Sequence, residues 1–272
     1  ICDVAAGEPW DDVVAASVAR NLGGIECLSG IPGTTGATPV QNVGAYGQEV
    51  ADTIAEVRVL ERAGGQIRSF SPAACRFAYR DSVFKQNPGR FVVLAVRFAL
   101  RANVAPTLQY AELRTALASQ PRPTLADARA TVLAVRRRKS MVLDPADPNR
   151  RSVGSFFTNP ILDAARFGDL CARAVTSGVV DKAEDVPRFP AADNQHKVPA
   201  AWLIERAGFH KGLRRGPVGL STAHTLALVH HGGGTTAALL ALAREIRDGV
   251  AARFGVALVA EPVILGETGS AI

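Results

Sequence analysis

Cysteine is scarce in this sequence, and its placement argues against the sites that cysteine usually builds. The cysteines stand far apart, with no Cys-x-x-Cys pair and no histidine at a matching spacing. A disulfide framework and a zinc site are therefore both disfavoured. We expect these residues to be reduced and buried as small apolar groups. They are Cys2, Cys27, Cys75 and Cys171.

Long apolar runs and methionine are also lacking. No uninterrupted apolar run approaches the roughly 18 residues that a membrane helix needs, and the start lacks the basic and then apolar pattern of a secretory signal. We therefore predict a cytoplasmic protein with no membrane partner. The one methionine is Met141, so Ile1 is not a natural initiator and we expect further sequence upstream.

Acidic residues are outnumbered by basic ones, which gives the 272 residues a formal charge of +6 and a pI near 9.5. The positive charge is spread along the chain, apart from the run Arg136 to Lys139, and no aromatic residues alternate with that run. Nucleic-acid binding is therefore disfavoured. The same charge suits an enzyme whose substrates carry phosphates, because a positive field raises their encounter rate. We favour this second interpretation.

Hydrophobic periodicity predicts a mixture of helices and strands. In the first part of the chain the predicted elements are a strand at 1–6, a helix from Pro9 to Leu22, a hairpin of 54–60 and 66–70, and a strand at 91–100. Prolines cluster from Pro106 onward, which places a domain boundary near residue 105. The second part carries a helix that begins with the capping pair Thr124 and Asp127, one helix within 160–220, at 200–207, and a long helix at 235–253.

The stretch 30–47 is a loop with five glycines and two prolines. This composition excludes a regular helix or a central strand, because glycine loses much backbone entropy and proline lacks an amide donor. Such a loop exposes backbone N–H groups to an anionic or carbonyl-rich ligand. The alternative is a surface turn that binds nothing, but Thr34, Asn42 and Tyr46 within the loop favour a binding role.

Three motifs follow one another along the chain. The loop reads Ser-Gly-Ile-Pro-Gly-Thr-Thr-Gly-Ala-Thr-Pro-Val-Gln-Asn-Val-Gly-Ala-Tyr-Gly from Ser29, a second motif reads Arg-Phe-Ala-Tyr-Arg-Asp-Ser-Val-Phe-Lys from Arg76, and a third reads Gly-Ser-Phe-Phe-Thr-Asn-Pro from Gly154. Together they closely resemble the UDP-N-acetylenolpyruvoylglucosamine reductase (MurB) family, and the resemblance extends over essentially the whole chain.

The resemblance implies a flavoenzyme with FAD as cofactor and NADPH as hydride donor. The family reduces UDP-N-acetylglucosamine-enolpyruvate to UDP-N-acetylmuramate for peptidoglycan synthesis. The family's first flavin subdomain, with its Gly-Gly-Gly-Ser-Asn loop, has no counterpart in these 272 residues, so we expect this stretch alone to bind FAD weakly or not at all. The residues that match the family's flavin contacts are Ile31, Pro32, Gly33, Gly36, Ala37, Asn42, Gly44, Ala45, Tyr46 and Val93.

The resemblance also implies three catalytic residues. Arg80 matches the arginine of the family's Tyr-Arg pair, and a guanidinium that is always charged suits a carboxylate or a developing enolate. Ser155 matches the serine that protonates the enolate, and Glu261 matches an active-site glutamate. Taken alone, Ser155 would be a turn hydroxyl, since no Gly-x-Ser-x-Gly motif surrounds it, and Glu261 would be a solvated carboxylate.

Five further residues match substrate contacts of the family. Taken alone, Tyr110 would be a packing residue, and Lys139 would serve the dipole at the end of a helix. His230 and His231 are adjacent on a predicted strand and so point in opposite directions, which argues against a metal site. The five matched positions are Tyr79, Tyr110, Lys139, Asn159 and His224.

The predicted fold class is α+β. Residues 1–105 would form the second half of a FAD-binding domain of the vanillyl-alcohol-oxidase (VAO/PCMH) type, and residues 106–272 a MurB C-terminal α+β substrate domain. Within that domain, 256–266 would be a returning strand that carries Glu261. We expect a monomer whose partners are the sugar nucleotide and NADPH.

Three other functions are open to this sequence. The first is a different flavoprotein of the same superfamily, such as an alcohol oxidase, although such an enzyme needs no carbon-protonating serine at Ser155. The second is a basic nucleic-acid-binding module, whose affinity would fall steeply with salt. The third is a non-catalytic binding or assembly protein that kept the fold, which the joint presence of Arg80, Ser155 and Glu261 disfavours.

Overall fold

The computed structural model describes residues 1–265 and divides into two compact units. The first unit spans Ile1–Leu143, and the second begins at Asp144. The boundary predicted near residue 105 falls inside the first unit, because a helix at Leu125–Arg138 packs against the turn that precedes the glycine loop. Pro106 and its neighbours therefore belong to a connection within this unit, and the mixed α+β class is confirmed.

The first unit is built around an antiparallel sheet in the order β1-β7-β5-β6. Val57 of β5 is fully buried and pairs with Val96 of β7. The strands are β1 (Cys2–Ala5), β2 (Leu22–Gly23), β3 (Gly44–Ala45), β4 (Gln48–Glu49), β5 (Ile54–Glu61), β6 (Gln66–Phe70), β7 (Phe91–Phe98) and β8 (Arg101–Ala102). The helices are α1 (Trp10–Ala19), α2 (Pro72–Cys75), α3 (Val83–Gln86), α4 (Ala111–Ala116) and α5 (Leu125–Arg138).

Helix α1 is shorter than predicted. It ends at Ala19, and Asn21 then adopts the left-handed conformation with φ of 55°, which asparagine tolerates better than most residues. The Asn21 side chain donates to Asn103 at 2.7 Å, next to the pairing of β2 with β8. Leu22 therefore lies in a strand, although its spacing from Val18 fits a helix. Helix α5, in contrast, begins as predicted with Thr124 and Asp127 forming a capping box.

The second unit packs its helices around small sheets. Helix α8 carries the buried face that the sequence predicts, including Leu240, Ile246 and Phe254. The strands of this unit are β9 (Ile161–Leu162), β10 (Phe189–Pro190), β11 (His196–Lys197), β12 (Arg214–Arg215), β13 (Val218–Leu220) and β14 (Leu228–His230). Its helices are α6 (Ala164–Thr176), α7 (Ala200–Arg206) and α8 (Thr236–Phe254).

Helix α6 was missing from the sequence prediction. Asp163 caps its first turn by accepting from the Arg166 amide at 2.8 Å. Its buried residues Phe167, Leu170 and Ala174 recur at helical spacing, so the signal is present in the sequence. Gly168 in the middle of the helix lowers its intrinsic propensity and obscures that signal.

Replacing Leu170 by alanine is expected to destabilise the protein by about 2 to 5 kcal/mol. Leu170 is fully buried within the core of the second unit, so its truncation removes apolar contacts and leaves a cavity. Urea unfolding followed by circular dichroism measures the change. The exposed neighbour Asp169 provides the control: if Leu170→Ala costs no more than Asp169→Ala, α6 is not part of the core.

The predicted returning strand at 256–266 is not formed as a ladder. Residues 256–260 alternate between buried and exposed, as in a strand, but the segment makes only an isolated bridge between Ala260 and Phe157 within the described residues. Pro262 lacks an amide donor, which prevents the pairing from continuing. Residue 266 lies outside the described residues.

Candidate active site

The centre of the glycine loop is fixed by its own backbone. Thr35 donates to the Glu8 carbonyl at 2.8 Å, and Gly36 donates to the Ala6 carbonyl at 2.9 Å. A side-chain carbon at Gly36 would lie 2.5 Å from the Ala6 Cβ, so this position must be glycine for packing reasons alone. The Ala37 amide donates to the Thr34 carbonyl. The amides of Gly36 and Ala37, two predicted flavin contacts, are therefore already used inside the unit.

The beginning of the loop is different. The amides of Ile31 and Gly33 donate to no other residue within 1–265. Gly33 has φ of 113°, a conformation that a side chain would strain, and the space beside it is open. Pro32 between them is exposed. These two amides are available to an oxygen of a bound molecule, which is the property that a flavin-binding loop requires.

An ion pair holds the first residue of the loop. The Gly30 amide donates to Asp11 at 2.6 Å, and Arg129 of α5 donates to both oxygens of the same carboxylate at 2.6 and 2.9 Å. The guanidinium of Arg129 and the amide of Gly30 hold the pKa of Asp11 below its usual value. Asp11 in α1 therefore joins the loop to α5.

Replacing Asp11 by asparagine is expected to destabilise the protein by about 1 kcal/mol at pH 7. The effect is modest because solvent screens the partly exposed ion pair of Asp11 with Arg129 and so reduces its contribution to stability. The folded-state pKa is lowered, so the stabilisation is present above the unfolded pKa and disappears as the pH falls through the folded one. The difference between variant and wild type should therefore shrink at pH 3. Urea unfolding at pH 7 and pH 3 measures this difference in the free energy of unfolding, and Asp12→Asn, at an exposed position, is the control. Equal effects of the two variants would show that Asp11 does not stabilise the protein by joining the loop to α5.

The segment that carries Arg80 is joined to the end of the glycine loop. The Arg80 guanidinium donates to the carbonyls of Asn42 at 3.3 Å and Gly44 at 2.5 Å, and the Asn42 side chain donates to the Ala78 carbonyl at 3.1 Å. The Lys85 Nζ donates to the Arg80 carbonyl at 2.9 Å. The second motif and the loop thus form one hydrogen-bonded structure, with a cation at its centre.

Three non-glycine residues of this structure have left-handed backbone. Asn42, Tyr46 and Arg80 have φ of 46°, 51° and 53°. Tyr46 and Gly47 form the two-residue turn between β3 and β4, and both have positive φ, as the preferred hairpin turn requires. Tyrosine is unusual in that position. Such strain persists only where surrounding contacts over-determine it, and it is typical of functional sites.

Tyr46 belongs to a cluster with Tyr110 and Lys139. The two rings meet edge to face with centroids 5.2 Å apart, and the Lys139 Nζ lies 5.9 Å from each centroid. Glu112 accepts from Lys139 at 2.7 Å and from Arg138 at 3.0 Å. Burial raises the pKa of Tyr46 to about 12, so its hydroxyl remains protonated at neutral pH. One predicted flavin contact and two predicted substrate contacts are therefore brought together.

Three further predicted residues of the first unit, Val93, Ala45 and Tyr79, contact neighbouring residues of the same unit. Val93 lies in β7 opposite Val59 and packs against the core. Ala45 in β3 also contacts that core. The Tyr79 ring centroid is 5.3 Å from the Arg80 Cζ.

In the second unit, Ser155 and Glu261 lie on adjacent extended segments. Ser155 bridges to Ala227, and the amide of Glu261 donates to the carbonyl of Phe156 at 2.8 Å. His224 precedes the same Ala227 segment, and its amide donates to the Ser221 hydroxyl at 3.3 Å. The side-chain oxygen of Asn159 accepts from the Ala200 amide at 2.9 Å, at the start of α7. The segment of Ser155 therefore runs between those of His224 and Glu261.

Two family models match this chain. The one described as UDP-N-acetylenolpyruvoylglucosamine reductase, C-terminal domain, matches residues 145–265, and the one described as FAD binding domain matches residues 1–71. The UDP-N-acetylenolpyruvoylglucosamine reductase of Thermobifida fusca is 53% identical over 97% of this chain and 74% of that protein. The chain belongs to the UDP-N-acetylenolpyruvoylglucosamine reductase family.

Further comparisons agree with membership of the UDP-N-acetylenolpyruvoylglucosamine reductase family. The protein of the same name from Streptomyces coelicolor is 51% identical over 97% of this chain and 70% of that protein. The fold resembles the crystal structure of UDP-N-acetylenolpyruvylglucosamine reductase from Thermus caldophilus, with a TM-score of 0.62 and 23% identity, covering 96% of this chain and 71% of that chain.

The structure adds residues that the reductase-family motifs did not indicate. Glu26 is 1% exposed and accepts from the Gly24 amide, the Gln48 side chain and the Thr107 amide at 2.7 to 2.8 Å. It thereby joins the turn before the glycine loop to the segment that leads to Tyr110. Arg136 also lies next to the loop, since its Nε is close to Gly30. Arg136 follows Val132 by four residues in α5, so helical spacing alone could have placed it on the buried face.

Residues 1–265 contain neither a candidate membrane span nor a candidate metal cluster. No helix there is both long and apolar enough to cross a membrane. No group of three or more histidine, cysteine or acidic side chains is placed to hold a metal ion in the same range.

Proposed function

We propose that this chain reduces UDP-N-acetylglucosamine-enolpyruvate to UDP-N-acetylmuramate, with FAD as cofactor and NADPH as electron donor. The observation that carries the proposal is the 53% identity over 97% of the chain to a protein named for this reaction. The hydrogen bond from Arg80 to the Gly44 carbonyl supports this proposal, because it places a cation beside a loop that has two available amides.

FAD, when bound, would relay hydride from NADPH to the substrate's double bond. The chain's own contribution would be to hold the cofactor at the start of the glycine loop. The amides of Ile31 and Gly33 suit an oxygen acceptor, and the glycine at 33 lets the cofactor approach the backbone. The chain therefore fits the cofactor that its FAD-binding domain match implies.

Arg80 would bind the enolpyruvyl carboxylate. Hydride addition to the alkene leaves negative charge on that group, and a fixed cation stabilises the charge as it develops. The carbonyls of Asn42 and Gly44 hold the guanidinium in place, so little reorganisation would be needed. Tyr79, whose ring is next to Arg80, would contact the same part of the substrate.

Ser155 would protonate the enolate at carbon. A hydroxyl is a weak acid, but the carbon that it meets is strongly basic, so a positioned serine can act as the general acid. The pairing of its segment with Ala227 fixes the backbone on which it is carried. Glu261, on the other neighbouring segment, would assist Arg80 as a second hydrogen-bond donor to the carboxylate when it is protonated or shares a proton.

The remaining matched residues would bind the sugar nucleotide. Lys139 carries the charge for a phosphate, and Glu112 holds its ammonium group beside Tyr46 and Tyr110. Asn159 and His224 would also contact the substrate. The side-chain oxygen of Asn159 accepts from the Ala200 amide, which fixes this side chain at the start of α7.

We further infer a cytoplasmic monomer that has small-molecule partners and binds neither nucleic acid nor membranes. The basic run supports this inference, because Arg138 and Lys139 both pair with Glu112 and Arg136 is half-buried. Only Arg137 of the run is exposed without an ion pair among the described residues. The run therefore offers too few unpaired charges for the several phosphate contacts that a nucleic-acid backbone requires.

An anaerobic absorption experiment on the natural full-length protein tests the function. The flavin band should bleach when NADPH is added and return when the enolpyruvyl sugar nucleotide follows. A band that returns with oxygen but not with the sugar nucleotide would favour the oxidase. A protein that carries no flavin band would contradict the enzyme assignment and leave the fold unchanged.

A further inference from the structure

Arg80 lies at a strained position of a tight turn. The amide of Ala78 donates to the Asp81 carbonyl at 3.1 Å, and the amide of Asp81 donates back to the Ala78 carbonyl at 3.2 Å. Arg80 is the third residue of this turn, and its φ of 53° is left-handed. That position favours glycine or asparagine when φ is positive. An arginine there must therefore be held by its surroundings.

Lys85 holds the main chain of this turn. Its Nζ donates to the Arg80 carbonyl at 2.9 Å, and the ammonium group forms no ion pair within residues 1–265. The nearest acid in the sequence, Asp81, instead accepts from the Gln86 side chain at 2.6 Å. Lysine usually extends its ammonium group into water, but Lys85 is half-buried. This arrangement indicates a role for the ammonium group at the Arg80 carbonyl.

The position of Lys85 is fixed from the glycine loop. Lys85 belongs to α3, which begins after the fully buried Ser82. The Ser82 hydroxyl accepts from the amides of Phe84 and Lys85 at 3.1 and 3.2 Å. The same hydroxyl donates to the Val40 carbonyl at 2.5 Å. The ammonium group of Lys85 is thus carried by a helical turn that the loop itself holds in place.

The two ends of Arg80 are therefore held separately. The guanidinium donates to the carbonyls of Asn42 and Gly44, and Lys85 holds the main chain. We propose that Lys85 is a positioning residue, which acts through the Arg80 carbonyl to direct the guanidinium toward the substrate carboxylate. This inference rests on the proposed function, in which Arg80 binds that carboxylate. Neighbours of this kind are what keep a functional side chain close to its productive geometry.

The test replaces Lys85 by methionine in the natural full-length protein and follows both half-reactions by anaerobic stopped-flow absorbance. Reoxidation of the flavin by the sugar nucleotide should slow by about tenfold, because a displaced catalytic group loses much of its effect. Reduction by NADPH should keep its wild-type rate. Lys85→Arg, which retains a cationic donor, should recover most of the loss. Arg76→Met, which removes an exposed charge from the same motif, should leave both half-reactions near wild type.

A double-variant cycle distinguishes positioning from direct contact with the substrate. In the Arg80→Met protein, Lys85→Met should slow reoxidation by less than about twofold further, because the guanidinium that Lys85 positions is already gone. An equal loss in both backgrounds would mean that the ammonium group acts on the substrate by itself. Lys85→Gln, whose side chain is one bond shorter, should show the same pattern and replaces Lys85→Met if that variant fails to fold.

Hydrogen exchange examines the turn without the substrate. The amides of Ala78 and Asp81 should exchange faster in Lys85→Met than in wild type or Arg76→Met, because the turn has lost a bond that fixes it. The inference is overturned if exchange is unchanged, if both half-reactions fall equally, or if the losses in the double-variant cycle add. Failure of the proposed function is distinguishable, because the sugar nucleotide would then not reoxidise the wild-type flavin, while the exchange comparison would still report on Lys85.

Discussion

Replacing Ser155 by alanine should slow reoxidation of the reduced flavin by the sugar nucleotide by about 10²- to 10⁴-fold, the range typical of a positioned general acid. Reduction of the flavin by NADPH should keep its wild-type rate, because no carbon is protonated in that half-reaction. Anaerobic stopped-flow absorbance measures the two half-reactions separately. Their ratio reports the role of the hydroxyl independently of how much flavin is bound.

Ser152 provides the matched control for this experiment. It is half-buried three residues before Ser155, and within residues 1–265 its hydroxyl accepts only a long contact of 3.4 Å from the Gly154 amide. Ser152→Ala should leave both half-reactions near wild type. An equal loss in both half-reactions of Ser155→Ala would mean that the serine holds the segment beside Ala227 in place and does not donate the proton.

Replacing Arg80 by methionine should reduce kcat/KM for the enolpyruvyl substrate by about 10²- to 10³-fold, the usual effect of losing one donor to a developing oxyanion. The guanidinium would no longer stabilise charge on the carboxylate. Steady-state assays and the substrate half-reaction measure the loss, and both should be made at saturating FAD because Arg80 also bonds the loop carbonyls of Asn42 and Gly44.

Arg76→Met is the control for the Arg80 variant. Arg76 lies in the same motif, is exposed, and shares the left-handed backbone with φ of 49°. The two variants therefore remove the same charge from similar backbone. If Arg76→Met lost as much activity as Arg80→Met, a general effect of charge would replace the assigned role. If Arg80→Met changed FAD affinity alone, Arg80 would be a cofactor-binding residue.

The parts of the fold that followed from the sequence are those governed by local rules. The α5 capping pair of Thr124 and Asp127, the hairpin around residues 62–65 and the apolar face of α8 depend on neighbours in the chain, and each is present in the structure. Two of the errors arose where distant residues determine the structure, whereas α6 was missed despite its local signal. Leu22 pairs with Ala102 and leaves α1, and the segment before Pro262 has the alternation of a strand but no continuing partner.

The site shows the same division. The motifs indicated Arg80, Ser155 and Glu261 by resemblance, and the structure adds how the first is held. The sequence does not predict that the Thr107 amide donates to Glu26, because the two residues are 81 positions apart and nothing near either one indicates the contact. The amide of Gly36 illustrates the converse, since a glycine that seemed suited to a ligand is required for packing on Ala6.

The position of the unit boundary at 143 has a consequence for how this protein acquires its cofactor site during synthesis. The last residue that matches a flavin contact is Val93, yet the turn before the loop is held by Thr107, the first loop residue is held through Asp11 by Arg129, and Arg136 lies beside it. A chain that stops at 105 would carry the glycine loop without the groups that hold it. The contacts that hold the loop are thus complete only after α5 has been synthesised, so we expect the first unit to gain its flavin site as a whole and not in steps.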